Sequence, residues 1–100
     1  MKLKLTSGSQ RDLRDISRYT LREFGPAQEE KYLSGLWSHF QQLKEFPRSG
    51  REVRAGGTLR ISAYREHHLL YRQQGDDELR IEGAIHQARD LEAVVRRLRS

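Results

Sequence analysis

There is no cysteine among the 100 residues, which excludes disulfides, thiolate nucleophiles and cysteine-ligated zinc. Proline occurs only twice, and Pro26 and Pro47 both fall where helical periodicity breaks. Long apolar runs are missing too: no stretch approaches the roughly 18 apolar residues of a membrane span. The opening Met1-Lys2-Leu3-Lys4-Leu5 lacks the apolar core of a signal peptide, so a cytoplasmic location and no membrane partner are expected. No internal repeat, Walker loop, dinucleotide fingerprint, nucleophile elbow or HExxH pattern is present.

What is abundant is arginine. Of 19 basic residues, 15 are arginine and four lysine, against 14 acids, for a net charge of +5. A moderate basic excess favours an acidic partner, whether nucleic acid, an acidic protein segment or an anionic membrane surface. Arginine suits bidentate recognition of carboxylate or phosphate, although a GC-rich genome produces the same bias. A chain of this length makes one domain, taken as residues 1–100.

Lys2-Leu3-Lys4-Leu5 alternates like a strand with one buried face. Ser9 and Asp12 have the spacing of a capping box, opening an amphipathic helix on Leu13, Ile16, Thr20 and Phe24. Gly25-Pro26 ends it: the glycine suits a left-handed cap and the proline the first turn of a second helix. That helix is expected over 27–46, with Leu33, Leu36, Trp37, Phe40 and Leu43 on its core stripe. The short link folds the two into a helical hairpin. Residues 48–57 read as an irregular loop rich in glycine and arginine. Strands are expected at 58–64, 67–73 and 79–85, joined by tight turns into a meander, and a last helix at 88–98. The order β-α-α-β-β-β-α predicts an α+β domain: a small antiparallel sheet covered by an N-terminal helical hairpin, with a C-terminal helix. The first strand must pair with one of the later three, leaving the other sheet face partly open for a partner.

His67 and His68 are neighbours in a strand and so point to opposite faces; one is a candidate acid/base and the other structural. His86 and Arg89, at the exit of the last strand, offer a base and a cation for a phosphate. The bland alternative has His86 hydrogen-bonded to nearby backbone and Arg89 paired with Asp90. Arg48, Arg51, Arg54, Arg60 and Arg65 form either an anion clamp or a solvated surface.

Taken in order, Asp12-Leu13-Arg14-Asp15-Ile16 with Tyr19, Phe24-Gly25-Pro26-Ala27-Gln28 with Tyr32, Pro47-Arg48-Ser49-Gly50-Arg51, Arg60, His68-Leu69-Leu70-Tyr71-Arg72 and Ile85-His86-Gln87-Ala88-Arg89-Asp90 resemble the ParE toxins of the ParE/RelE superfamily. The resemblance spans nearly the whole chain. It implies the fold just derived and a toxin of a type II toxin–antitoxin, plasmid-stabilisation module that inhibits DNA gyrase. It also implies a cognate acidic, ParD-like antitoxin with a ribbon-helix-helix DNA-binding N-terminus, so operator DNA is met only through the antitoxin. The antitoxin surface is expected to include Arg60, Arg65, Arg72, Trp37 and Tyr32. The RelE branch, by contrast, cleaves mRNA on the ribosome. Its residue set is broken here: the 58–63 segment has Arg60 but no lysine, His68 stands where those nucleases commonly carry arginine, and the last helix has no tyrosine. Under the nuclease alternative the site would be Arg60, His68, His86 and Arg89. No cofactor or metal is expected.

Overall fold

In the computed structural model, which describes residues 1–99, Lys2–Leu5 forms β1 with its lysines in solvent and its leucines turned inward. Helix α1 (Ser7–Phe24) follows at once. Its cap is Thr6 and not the Ser9–Asp12 box: the Thr6 hydroxyl oxygen accepts the Ser9 N–H at 3.1 Å. Ser9 is instead fully buried in the first turn, donating to the Thr6 carbonyl at 2.8 Å. Thr6 wins because it directly precedes the turn whose free N–H groups need an acceptor.

Gly25 alone separates α1 from α2 (Pro26–Glu45). Its φ of 89° with ψ of 173° is a conformation essentially reserved for glycine, extended rather than left-handed helical. The hairpin lies on one face of a five-stranded sheet of order β1-β5-β4-β3-β2, where β2 is Arg51–Glu52, β3 Arg60–Tyr64, β4 His67–Gln74 and β5 Glu78–His86. The meander β3-β4-β5 is antiparallel, as its tight turns dictate. The crossover through the hairpin brings β1 alongside β5 in parallel, so the whole sheet is mixed. The glycine- and arginine-rich segment is not wholly irregular: Arg51 and Glu52 pair with Ile61 and Arg60 as a short edge strand. That segment is tied down by buried Tyr71, whose hydroxyl donates to the Pro47 carbonyl and accepts the Gly50 N–H, both at 2.9 Å.

Two apolar layers result. On the hairpin side Ile16, Tyr32, Leu36, Phe40 and Leu43 pack on Leu69, Tyr71, Leu79, Ile81 and Ala84. The expected core position of Trp37 is not realised; it is 48% exposed. The buried stripe of α2 runs Tyr32-Leu36-Phe40-Leu43, and Trp37 lies about 100° round the helix from Leu36, edge-on to Phe40. Phe24, expected inside, is 65% exposed at the end of α1 and stacks edge-on with Tyr19.

The opposite sheet face is not left open. Helix α3 (Leu91–Arg99) lays Val94 and Val95 on Leu59, Ile61, Leu70 and Ile85. It starts three residues later than the apolar spacing suggests, because Asp90 accepts the Ala93 N–H at 3.3 Å and fixes the first turn there. Among the described residues, no helix is long and apolar enough to cross a membrane.

Candidate functional site

Strand β5 changes face partway along. Leu70 pairs with Gly83 but Tyr71 pairs with Ile81, so Glu82 is an extra residue, a β-bulge. Before it, Leu79 and Ile81 face the helical hairpin; after it, Ala84 does, and Ile85 turns to α3. The displaced backbone is held by the start of α1. The Asp12 carboxylate accepts the Ala84 N–H at 3.0 Å, and Thr6 binds the Ile81 carbonyl through its N–H and its hydroxyl, at 3.2 and 3.1 Å. Bulges re-aim side chains in this way. Here the consequence is that His86 comes to the same face as His67, its partner across the strands, with ring centroids 5.6 Å apart.

His67 in turn meets Tyr32 of α2, whose hydroxyl lies 2.5 Å from Nδ1. Tyr64 donates to the Tyr32 carbonyl at 2.9 Å and stacks edge-on against its ring, and His39 lies 5.5 Å beyond Tyr64 with Nε2 on the Ser62 hydroxyl. Arg65, at a left-handed φ of 52° in the β3–β4 turn, sets its guanidinium 5.8 and 5.7 Å from the Tyr32 and Tyr64 rings. Burial, and then the neighbouring His86, push the His67 pKa below the ordinary imidazole value, against an opposing pull from Glu66. Burial, with Glu66 and Tyr64, pushes the Tyr32 hydroxyl well above its ordinary value. At neutral pH the pair is therefore uncharged, the proton between the Tyr32 hydroxyl and Nδ1 lying on the side that the His67 tautomer sets.

Tyr32 and His67 form the inner end of a cleft of about 530 Å³ between α1 and the exit of β5. Ile16, Thr20 and Ala84 line its floor, Tyr19 and Phe24 its outer lip, and Asp12, Asp15, Arg65, Glu66 and Arg89 its charged border. The charge is mixed. His86 is exposed at the mouth, and its Nδ1 accepts the Ala88 N–H at 3.1 Å, the backbone contact foreseen by the bland reading. Arg89 also lines the mouth, while Asp90 caps α3 rather than pairing with it. Among the described residues, no group of three histidines, aspartates or glutamates is placed to hold a metal ion.

Of the four residues proposed for a nuclease, only His86 and Arg89 share this cleft. His68 pairs with Ile85 on the α3 side and borders a shallow depression with Ser49, Gly50 and Arg51. Arg60 lies across from Tyr71, toward the other end of β4, donating to the Gly50 carbonyl at 2.6 Å and pairing with Glu52 at 3.5 Å. Of the residues expected to meet an antitoxin, Arg65 and Tyr32 come together in this cleft and the others are dispersed. Tyr32 is 5% exposed, and Arg72 reaches the Leu98 carbonyl, Thr58 and Glu82 from beneath α3. Trp37 and Arg65 are at the surface on different elements. The Glu82 bulge, which builds the histidine pair, is hidden in the periodicity of Leu79 to Ile85, and the signal that could have found it is Gly83, an isolated glycine inside the strand.

The family model described as ParE toxin of type II toxin–antitoxin system, parDE, matches residues 3–91. Among solved structures, the chain is similar to the chromosomal ParDE TA system from P. aeruginosa, with a TM-score of 0.72 and 18% sequence identity over 86% of this chain and 95% of that one. At that identity the likeness concerns the fold. No match was found among curated protein sequences.

Proposed function

Because the chain belongs to the ParE toxin family of type II toxin–antitoxin systems, we propose that it acts in the cytoplasm as a non-enzymatic inhibitor of DNA gyrase, blocking replication, and is neutralised by direct binding of a cognate ParD-like antitoxin. The observation that carries the non-enzymatic half is the scattering of the nuclease set. Arg60 is tied to Gly50 and Glu52, His68 lies across the sheet from His86, and α3 supplies no tyrosine. Phosphodiester cleavage needs a base and charge stabilisers converging within hydrogen-bond reach of one reacting group. Only His86 and Arg89 remain together here. The basic surface and two open clefts support action by gripping a macromolecule.

The test is a supercoiling assay with purified gyrase and relaxed plasmid. The proposal expects loss of supercoiling with accumulation of cleaved plasmid, both reversed by antitoxin. The His86–Arg89 pairing keeps one competing reading, ribosome-dependent mRNA cleavage. Codon-phased cuts in primer extension, with gyrase unaffected by excess toxin, would establish that reading instead.

A further inference from the structure

Helix α1 is amphipathic in charge as well as in hydropathy. At about 100° per residue, Arg11, Arg14, Arg18 and Arg22 fall within an arc of about 80°, opposite the buried Ser9, Ile16 and Thr20. The flanks of this arc are fixed by contacts: Ser17 on one side bonds Glu29 of α2, and Asp12 and Tyr19 on the other line the histidine cleft. All four arginines are exposed, forming a ridge about 16 Å long. Arg22 pairs with Glu23 and lies over the Tyr19 ring. The guanidiniums of Arg11, Arg14 and Arg18 have no hydrogen-bond or ion-pair partner among the described residues. Asp15, at the edge of the arc, pairs with none of them, and Asp12 is turned inward onto the Ala84 N–H.

A solvated helix face ordinarily mixes signs, as α2 does with exposed Glu30, Lys31 and Glu45. The α1 ridge instead sets Arg14 four residues before Arg18 and Arg18 four before Arg22, a like-charge spacing that weakens a helix. Its first turn has no acid to offset them. A polyanion laid along the ridge would turn this repulsion into attraction.

We propose that this ridge binds the phosphodiester backbone of duplex DNA, independently of sequence, through Arg11, Arg14 and Arg18. Charge complementarity calls for a polyanion, and the shape of the ridge selects among polyanions. An acidic protein segment takes most of its affinity from apolar anchors seated in pockets, whereas the ridge is convex. An anionic bilayer takes up an amphipathic helix by its apolar face, and α1 packs that face into the core through Leu13 and Ile16. A DNA backbone binds by charge alone. A ridge of about 16 Å also reaches the phosphates on both sides of a major groove about 12 Å wide. The assignment holds whatever the chain inhibits, and it gives the chain itself a hold on DNA apart from any antitoxin.

The probe is a short fluorescein-labelled DNA duplex of arbitrary sequence, read by anisotropy with the full chain across a salt series. Each phosphate neutralised contributes about −0.9 to the slope of log affinity against log salt. R11Q/R14Q/R18Q should therefore make the slope shallower by about 3 and weaken binding at low salt by about tenfold or more. R11K/R14K/R18K, which keeps the charge, should retain the slope. R51Q/R54Q/R96Q, an equal charge change on the α3 side of the sheet, should alter it by less than about 1. Equal loss in the two glutamine variants would mean attraction by diffuse charge and overturns the assignment, as does absence of duplex binding at low salt. Poly-glutamate or phosphatidylserine vesicles held more tightly than the duplex through the same arginines would name a different partner and overturn it too. The readout contains no gyrase, so inhibition of supercoiling that persists alongside such a failure leaves the toxin reading standing.

Discussion

The hydroxyl of Tyr32 on α2 and Nδ1 of His67 on β4 lie 2.5 Å apart, and this bond joins the helical hairpin to the sheet at the inner end of the histidine cleft. Because burial holds the His67 pKa below its unfolded value of about 6.5, the neutral ring contributes its stability above that pH. As pH falls below about 6.5 the unfolded chain takes up a proton that the folded chain resists, and stability declines. His39, also lowered by burial, acts in the same direction. Denaturant melts should therefore show a midpoint that drops between about pH 7 and pH 5. Tyr32→Phe should cost about 1 kcal/mol at neutral pH, and His67→Gln should flatten the pH slope without abolishing it, because His39 remains. A slope of opposite sign would contradict the neutral assignment of His67.

Asp12 has the spacing of a capping-box acid but serves as the anchor of the β5 bulge. Replacing it with alanine leaves the Ala84 N–H without its acceptor and should destabilise the chain by about 1–3 kcal/mol. Asp12→Asn keeps an acceptor oxygen and should lose less. Amide exchange identifies the cause: protection at Ala84 and Gly83 should fall in D12A before that of the central strand β4 does. Uniform loss along the sheet would mean that the carboxylate matters elsewhere.

These two sites show where the sequence was legible. The hairpin, the meander and their order follow from periodicities of 3.6 and 2 and from the Gly25-Pro26 and Gly75-Asp76-Asp77 breaks, which are local signals. The late start of α3 was also readable, since Asp90 stands directly before the apolar repeat at Leu91. The side on which His86 falls was not. It depends on an extra residue, Glu82, that the periodicity does not show and only the neighbouring Gly83 hints at, and the backbone on either side of it, at Ile81 and Ala84, is held by Thr6 and Asp12 from the other end of the chain. Nor does alternation say that a C-terminal helix will cover the second sheet face, because Val94 and Val95 would look the same on a free amphipathic helix.

Gly35 sits in the middle of α2, where alanine would ordinarily stabilise by up to about 1 kcal/mol. In this fold an added Cβ meets the Tyr64 hydroxyl oxygen and the ring carbon that bears it. The ring is held by its bond to the Tyr32 carbonyl and by packing against Tyr32, so it yields only with loss of those contacts. Gly35→Ala should accordingly destabilise by about 1–3 kcal/mol, the usual cost of overpacking. Tyr64→Phe removes the colliding oxygen. The double variant should therefore be more stable than the two single losses summed, with a coupling of about 1 kcal/mol in a mutant cycle.

His86 and Arg89 discriminate most directly between holding and cutting. Both are exposed at the mouth of the histidine cleft, and neither supports the core, so alanine at both positions should leave the melting curve within about 0.5 kcal/mol of wild type. If the chain acts by binding gyrase through other surfaces, growth arrest on induction without antitoxin should persist in H86A/R89A, and inhibition of supercoiling should stay within about twofold. A nuclease losing its base and its phosphate cation would fall by orders of magnitude, since general base catalysis alone contributes about 10²–10⁴-fold. Loss of toxicity with gyrase inhibition retained would point to RNA as the target. Loss of both with the fold intact would instead place these two side chains on the gyrase-binding surface.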